Sequence, residues 1–428
     1  MNITLLSASD SQGGAAIAAE RLLNALSKSI PETDLKVELV VRHQTDTSNE
    51  LISAVKQFQR FTGEKIHPRF ILEKLFFDSR NVLKKFRFSF STAKLGFPLH
   101  KNQKVKASDI LHFHWISNSF ISLNGMQKLF SSGKPIVWTL HDMWAFTGGC
   151  HYSGDCRNFE KSCGNCPYLK KPEEHDLSFE IHQKKQSIYG TANLNIVTCS
   201  HWLAEKARTS SLLKNRPISV IPNPIDTVLF SPIDRKTSRA HFKFPQEKFL
   251  LLFGAANVND ERKGLKFLLE SMKILFSSAP EIAEKIELVI VGKNNAERFS
   301  VENFKTHDVG MIISKTEMAK LYSAADIFVI PSLEDNLPNT IMESMSCSTP
   351  VVGFDSGGIP EMVQHKKTGY LAEYKSAEDL AEGIKWMMNS ENRFNASQAS
   401  RKYVLENYSE QIVSEKYFRL YESILSKK

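Results

Sequence analysis

A rhythm that occurs twice most limits what this chain can become: short apolar runs alternate with helix-forming stretches, then the pattern starts again. The first half carries runs at 3–7, 36–41, 110–115, 135–140, 194–199 and 218–221, apolar mostly without alternation. That is the signature of parallel strands covered on both faces. A helix is predicted just after Gly13 and Gly14, through AAIAAERLLNAL, where Ala and Leu favour it. Residues 221–232, IPNPIDTVLFSP, follow, and their three prolines disfavour both helix and strand. The second half repeats the pattern with runs at 248–253, 286–291, 307–312, 326–330 and 350–354. Repeated βα units predict an α/β protein of two doubly wound parallel sheets, with ligand sites beyond the carboxyl ends of the strands. The expected division is a domain over 1–222, a linker at 223–232, a second domain over 233–395, and a helical tail over 396–428 that packs back across the domains. A chain of 428 residues exceeds one ordinary core, which agrees with two domains.

At 42% apolar and 24% charged, the composition is that of a soluble globular protein. No run reaches the roughly 18 apolar residues that a membrane crossing needs. The opening MNITLLSASD lacks a cationic flank and turns polar at once, so it reads as a first strand and not a signal peptide. A cytoplasmic protein is expected. The net charge of +8 is concentrated in residues 51–106, which hold 13 Lys/Arg against three Asp/Glu. The same stretch contains nine of the 28 Phe residues, including Phe76, Phe77, Phe86, Phe88 and Phe90. Cations interleaved with aromatics suit nucleic acid, an anionic membrane surface or a lipid phosphate; the alternative is a helical insertion with its Phe residues in a core and its Lys residues solvated.

The strongest chemical signal is PSLEDNLPNTIMESMSCSTPVVGFDSGGIPE, residues 331–361. Pro338 suits a first helical position, where its missing N–H costs nothing. The amides of Asn339, Thr340 and Ile341 would then point from a positive dipole end toward a diphosphate. Glu343 is placed to accept from two vicinal hydroxyls, as a ribose presents, and Asp335 or Glu334 could do the same for a hexose. The turn at 356–360 should bring further backbone close to the ligand. Four of the six cysteines, Cys150, Cys156, Cys163 and Cys166, fall within 17 residues. In a cytosolic chain this clustering favours metal over disulfides, and Cys163-Gly-Asn-Cys166 has zinc-knuckle spacing. Two readings stay open: a closed structural zinc site bracing the loop, or thiols that are free or reversibly paired. Cys199 and Cys347 read as core residues.

Residues 331–361 resemble the acidic-x7-acidic signature of retaining glycosyltransferases of family 4, which have the GT-B fold of two Rossmann-like domains facing across a cleft. Asp335 and Glu343 stand at the two acidic positions, with Asn336 where the family usually has Gly. Ser348 replaces the Gly of a small-x-Gly-x-Pro-Val-Val run at 346–352. The resemblance extends to the loop at Gly13–Gly14, His141 in TLHDMWAFTGGCHY, the IPN-x-ID linker and Lys263–Gly264, all in order. It implies that Lys263 neutralises the departing diphosphate and that His141 contacts the donor sugar. Gly13, Gly14 and Gly310 are then backbone contacts on the donor side. The family pairs that Lys with an Arg about six residues earlier, where Asn257 stands here; Arg262 is the nearest replacement. Cations aimed at the leaving phosphate favour the transition state over the ground state.

The implied reaction is transfer of a hexosyl or deoxyhexosyl group from a UDP- or GDP-sugar with retention, without a side-chain nucleophile and without a catalytic metal. The strings HDMWAFTGGCHY and CGNCPYL resemble a subgroup of bacterial exopolysaccharide, colanic-acid-type enzymes. A lipid-linked saccharide acceptor follows from that, with the 51–106 stretch resting on the inner face of the plasma membrane and no nucleic acid partner. His112 and His114 fit an acceptor-facing role or core packing equally. The alternatives are a GT-B nucleotide-sugar epimerase and a non-catalytic sugar-nucleotide-binding protein, which Asn257 and Asp335 would permit.

Overall fold

The computed structural model describes residues 1–29, 35–45, 48–55, 89–190, 192–293 and 304–427. The chain forms two compact units, one of Met1–Pro222 with Val413–Lys428 and one of Asn223–Ile412. The segment 223–232 therefore lies inside the second unit. The expected tail is divided: helix Ser390–Asn407 falls in the second unit, and most of helix Glu410–Leu425 in the first.

The first unit is built on a sheet of seven strands: β1 (Asn2–Ser9), β2 (Lys36–His43), β3 (Ile52–Ala54), β4 (Ile110–Phe113), β5 (Ile136–Leu140), β6 (Leu194–Thr198) and β7 (Ile218–Val220), in the order β3-β2-β1-β4-β5-β6-β7. All its pairings are parallel. Alternate residues of one strand enter opposite layers. Ile3 and Leu5 pack with Leu22, Leu26, Tyr417 and Tyr421 on one face, whereas Leu6 and Ala8 pack with Phe113, Trp138 and Phe146 on the other. With both faces covered, neither set of positions needs to be polar, which is why the runs do not alternate.

The second unit has six strands: β8 (Phe249–Asn257), β9 (Ile286–Lys293), β10 (Thr306–Asp308), β11 (Ile327–Ile330), β12 (Val351–Phe354) and β13 (Gly369–Ala372), in the order β10-β9-β8-β11-β12-β13. These too pair in parallel. In each sheet the strand order reverses direction once, between β1 and β4 and between β8 and β11. Such switch points open a crevice beyond the strand ends, where open α/β sheets bind ligands. The Gly13–Gly14 turn follows β1, Arg262 and Lys263 follow β8, and the acidic loop follows β11. The predicted strand 307–312 stops earlier, because the chain turns through Gly310 at a φ of +65°. Most of the basic Phe-rich stretch, residues 56–88, lies outside the described residues; Phe90 lies within them and is buried.

Candidate active site

In the second unit the chemistry gathers around Asp335. Asp260 caps a short 3-10 turn, Glu261–Lys263, by accepting from the Arg262 amide at 3.0 Å. The turn ends at Gly264 in the left-handed region, φ +73°, where a Cβ would stand 1.8 Å from the Pro331 carbonyl oxygen. Glycine therefore lets this loop press on the end of β11. Leu333 N–H closes the contact by donating to the Arg262 carbonyl at 2.8 Å. Both cations then reach one carboxylate: Arg262 donates to Asp335 Oδ1 at 2.9 Å and to the Glu334 carbonyl at 2.6 Å, and Lys263 Nζ donates to Asp335 Oδ2 at 2.6 Å. Asp335 is buried. Burial works against its ionisation, but Lys263 and Arg262 outweigh it and lower the carboxyl to about 2. Desolvation lowers the Lys263 ammonium from its usual value, opposed by the same carboxylate.

The second turn, predicted at 356–360 to bring backbone close to a ligand, supports the acidic loop. Ser356 Oγ donates to the Ser332 carbonyl at 2.6 Å and Gly358 N–H to the Asp335 carbonyl at 2.9 Å. Gly357, at φ +58°, leaves room for the Asp335 carbonyl oxygen 2.1 Å from where a Cβ would be. Pro338 occupies the cap and not the first helical position, and the helix runs Asn339–Ser346. Of the three helix-start amides predicted for a diphosphate, that of Ile341 is taken by the Pro338 carbonyl at 3.1 Å. Asn339 Oδ1 accepts from Asn223 Nδ2 at 3.1 Å. Glu343, one turn in, is buried and accepts from Tyr322 Oη at 2.9 Å. Tyr322 carried no motif and was not singled out from sequence; a tyrosine in helix Lys315–Ala324 offers no signal of this role. The Gly310 carbonyl accepts from Gly292 N–H at 2.9 Å.

In the first unit His141 follows β5. Its Nε2 hydrogen-bonds His114 Nδ1 at 3.0 Å, and its Nδ1 lies 3.7 Å from Cys199 Sγ. Burial pulls the His141 imidazole down to about 4, against the attraction of Asp142. Burial likewise lowers His112 to about 3 and holds His114 well below its usual value. All three rings are neutral near pH 7, so His141 offers a hydrogen bond and not a positive charge. His112 belongs to the core: its Nδ1 meets Tyr421 Oη and its Nε2 Thr139 Oγ1, each at 2.7 Å, and Thr139 also meets Tyr417 Oη at 2.8 Å. His114 is buried too. Asp142 receives Trp115 Nε1–H at 3.0 Å and the Trp144 amide at 2.8 Å, and pairs with His151 Nδ1 at 2.7 Å. His151 Nε2 meets Ser91 Oγ at 2.9 Å, so Asp142 and His151 tie the loop after β5 to residue 91. In the other predicted glycine loop, Gly13 adopts φ +95° and the helix begins at Gly14, with the Ile17 amide donating to the Gly13 carbonyl.

Cys150, Cys156, Cys163 and Cys166 come together around one cavity, and none is in a disulfide. Burial pushes the Cys163 thiol up to about 12, the Cys166 thiol to about 11 and the Cys150 thiol well above its usual range. Cys163 and Asn165 both take left-handed backbone, φ +58° and +47°, at a cost on the order of 1 kcal/mol each. Cys199 and Cys347 are buried. Among the described residues no helix is long and apolar enough to cross a membrane.

A family model described as Glycosyltransferase Family 4 matches residues 13–229, just over half of the chain, and one described as Glycosyl transferases group 1 matches residues 247–390. The D-inositol 3-phosphate glycosyltransferase of Arthrobacter sp. (strain FB24) is 25% identical over 64% of this chain and 61% of its own length. A putative colanic acid biosynthesis glycosyl transferase, WcaC of Escherichia coli (strain K12), is 25% identical over 60% of this chain and 62% of its own length. The chain thus spans about three fifths of the length of these curated relatives. Among solved structures, sucrose-phosphate synthase from Thermosynechococcus elongatus superposes with a TM-score of 0.68 at 17% identity, covering 100% of both chains. Anabaena HepE in complex with UDP gives 0.64 at 14% identity, covering 99% of this chain and 100% of that one. The two parallel-sheet units have the GT-B fold, and the chain belongs to glycosyltransferase family 4.

Proposed function

We infer that this protein transfers a hexosyl or deoxyhexosyl group from a UDP- or GDP-sugar to a saccharide acceptor with retention at the anomeric carbon, in the assembly of a bacterial surface polysaccharide. The observation that carries the reading is the convergence of Arg262 and Lys263 on Asp335 at the switch point of the second sheet. Without a donor, Asp335 pairs with both cations and offsets one of their two charges. A diphosphate brings its own negative charge and takes up their hydrogen bonds, so charge building on the leaving group is met by groups already in place. Glu343, oriented by Tyr322, accepts from the ribose hydroxyls.

The bond from the anomeric carbon to the phosphate oxygen breaks, and the acceptor oxygen bonds to that carbon on the same face. The acceptor proton passes to the departing phosphate, and neutral His141 positions the donor sugar by a hydrogen bond. Lys263 and Arg262 supply the charge that a divalent cation would otherwise bring, so no metal is assigned to the chemistry. The acceptor is read as lipid-linked. A similar protein of Campylobacter jejuni, 26% identical over 40% of this chain, is named as an N-acetylgalactosaminyltransferase acting on a diphospho-undecaprenol saccharide. The 13 cations of 51–106 suit the anionic inner face of a plasma membrane.

Isothermal titration with UDP and GDP, followed by radiolabelled transfer to lipid-linked acceptors, tests this. Lys263→Ala and Glu343→Ala should each lower transfer by about a hundredfold or more with the fold intact. Unchanged turnover in both, or release of free sugar without any acceptor product, contradicts the reading.

A further inference from the structure

The function proposed above makes no use of the four clustered cysteines. They line a cavity of about 20 Å³ together with Phe90 and Tyr168, large enough for a single ion or water. Backbone donors already point at two of the sulfurs: Gly148 N–H donates to Cys163 Sγ at 3.1 Å, and Tyr168 N–H to the Cys166 thiol. Amide donors of this kind favour a thiolate over a thiol.

A buried lysine stands beside the cluster. Lys185 Nζ is fully buried, donates to the Trp144 and Thr147 carbonyls, and lies 3.6 Å from the centre of the Trp144 ring. Among the described residues no carboxylate forms an ion pair with it, and burial lowers its ammonium to about 7. Burial thus works against the ammonium, and four neutral thiols nearby do nothing to offset that cost. Four thiolates on a divalent cation carry a net charge of −2 and supply what is missing.

We propose that Cys150, Cys156, Cys163 and Cys166 bind one thiophilic divalent cation, zinc, with Lys185 as the buried counter-charge. Among the described residues no group of three or more His, Cys, Asp or Glu side chains is already arranged to hold a metal, so the thiols close across the cavity as the ion enters. Binding exchanges four S–H protons, released to solvent, for four zinc–sulfur bonds; no oxidation takes place. The closed tetrathiolate is structural, and it fixes the loop that follows His141.

Full-length protein purified under reducing, chelator-free conditions is expected to hold about one zinc per chain by plasma mass spectrometry. Cys163→Ser and Cys166→Ser should lose it. Because a serine variant can fail to fold, the wild-type chain is also stripped and reloaded with Co2+, which should give sulfur-to-metal charge transfer and the intense visible bands of a tetrahedral tetrathiolate. Lys185→Gln should weaken zinc retention against a chromophoric chelator by roughly tenfold or more. Nucleotide binding by the stripped wild type separates this proposal from the one above, since it is expected to persist. Metal-free protein with six titratable thiols overturns the site, as does a mass lowered by the hydrogens of two disulfides, or a Co2+ spectrum without thiolate bands.

Discussion

Asp335 holds two opposed demands in one side chain. Burial favours its neutral form, while Arg262 and Lys263, at 2.9 and 2.6 Å, favour its charge and prevail. Its carboxyl is depressed from 3.8 to about 2, so its stabilisation is complete above the ordinary carboxylate range and is lost as pH falls from about 4 to about 2. The shift corresponds to roughly 2 kcal/mol. Asp335→Asn should therefore lower the urea midpoint at pH 7, and the gap to wild type should close by about pH 2. A gap that stays constant with pH would show that the carboxylate charge contributes nothing. The same variant leaves two half-buried cations short of an anion, so UDP or GDP should raise its melting temperature more than that of wild type. Gly264→Ala should disturb both cations together, because its Cβ would stand 1.8 Å from the Pro331 carbonyl oxygen.

Between elements, the link that stands out is helix Glu410–Leu425 against β4 and β5. Tyr421 reaches His112 on β4 and Tyr417 reaches Thr139 on β5, so a segment from the end of the chain completes hydrogen bonds beneath the sheet. Tyr421→Phe leaves the His112 Nδ1 buried without its partner, which costs about 1–3 kcal/mol. His112 and His141, lowered to about 3 and about 4, are neutral in the folded chain but take up protons near 6.5 when unfolded. Stability is thus full above about 6.5 and declines as pH falls toward 4. Chemical denaturation across that range should show the decline, and His112→Gln should flatten it; an equal slope in both would remove the imidazoles from the explanation. What the sequence made legible divides along the same physical lines. Strands such as β1, β5 and β8 were legible because burial on both faces writes a mostly apolar run without strict alternation. β3, ISA, and β13, GYLA, carry small residues among their few apolar ones and so give a weak strand pattern. Arg262, Lys263 and Asp335 were legible as separate motifs, but Lys263 and Asp335 lie 72 residues apart, and only the fold brings them into contact. The equal choice for His112 and His114, acceptor or core, is decided by burial, which a histidine in LHFHW does not announce.

At the scale of the whole molecule, the two units differ in how the chain supplies them. The second is one continuous stretch, Asn223–Ile412, and its own core joins Leu251, Phe253, Leu268, Ile290, Val329 and Val352. It also contains every member of the Arg262, Lys263, Asp335, Tyr322 and Glu343 cluster. Expressed alone, residues 223–412 should unfold in one cooperative transition and bind UDP or GDP, with affinity no greater than the full chain's and without transfer. The first unit is discontinuous, because Val413, Tyr417, Tyr421 and Ile424 pack against Leu22, Leu26 and Val37. Residues 1–222 alone would leave that apolar layer exposed, at about 25 cal/mol for each Å² returned to water. They should therefore be markedly less stable than the same residues with 413–428 joined through a short linker, as hydrogen exchange in β1 and β4 would measure. Equal protection in the two forms would mean that the last helix merely lies on a sheet already complete. Loss of nucleotide binding in a well-folded 223–412 would mean that the donor's phosphates depend on the first unit, and not on Arg262 and Lys263 alone.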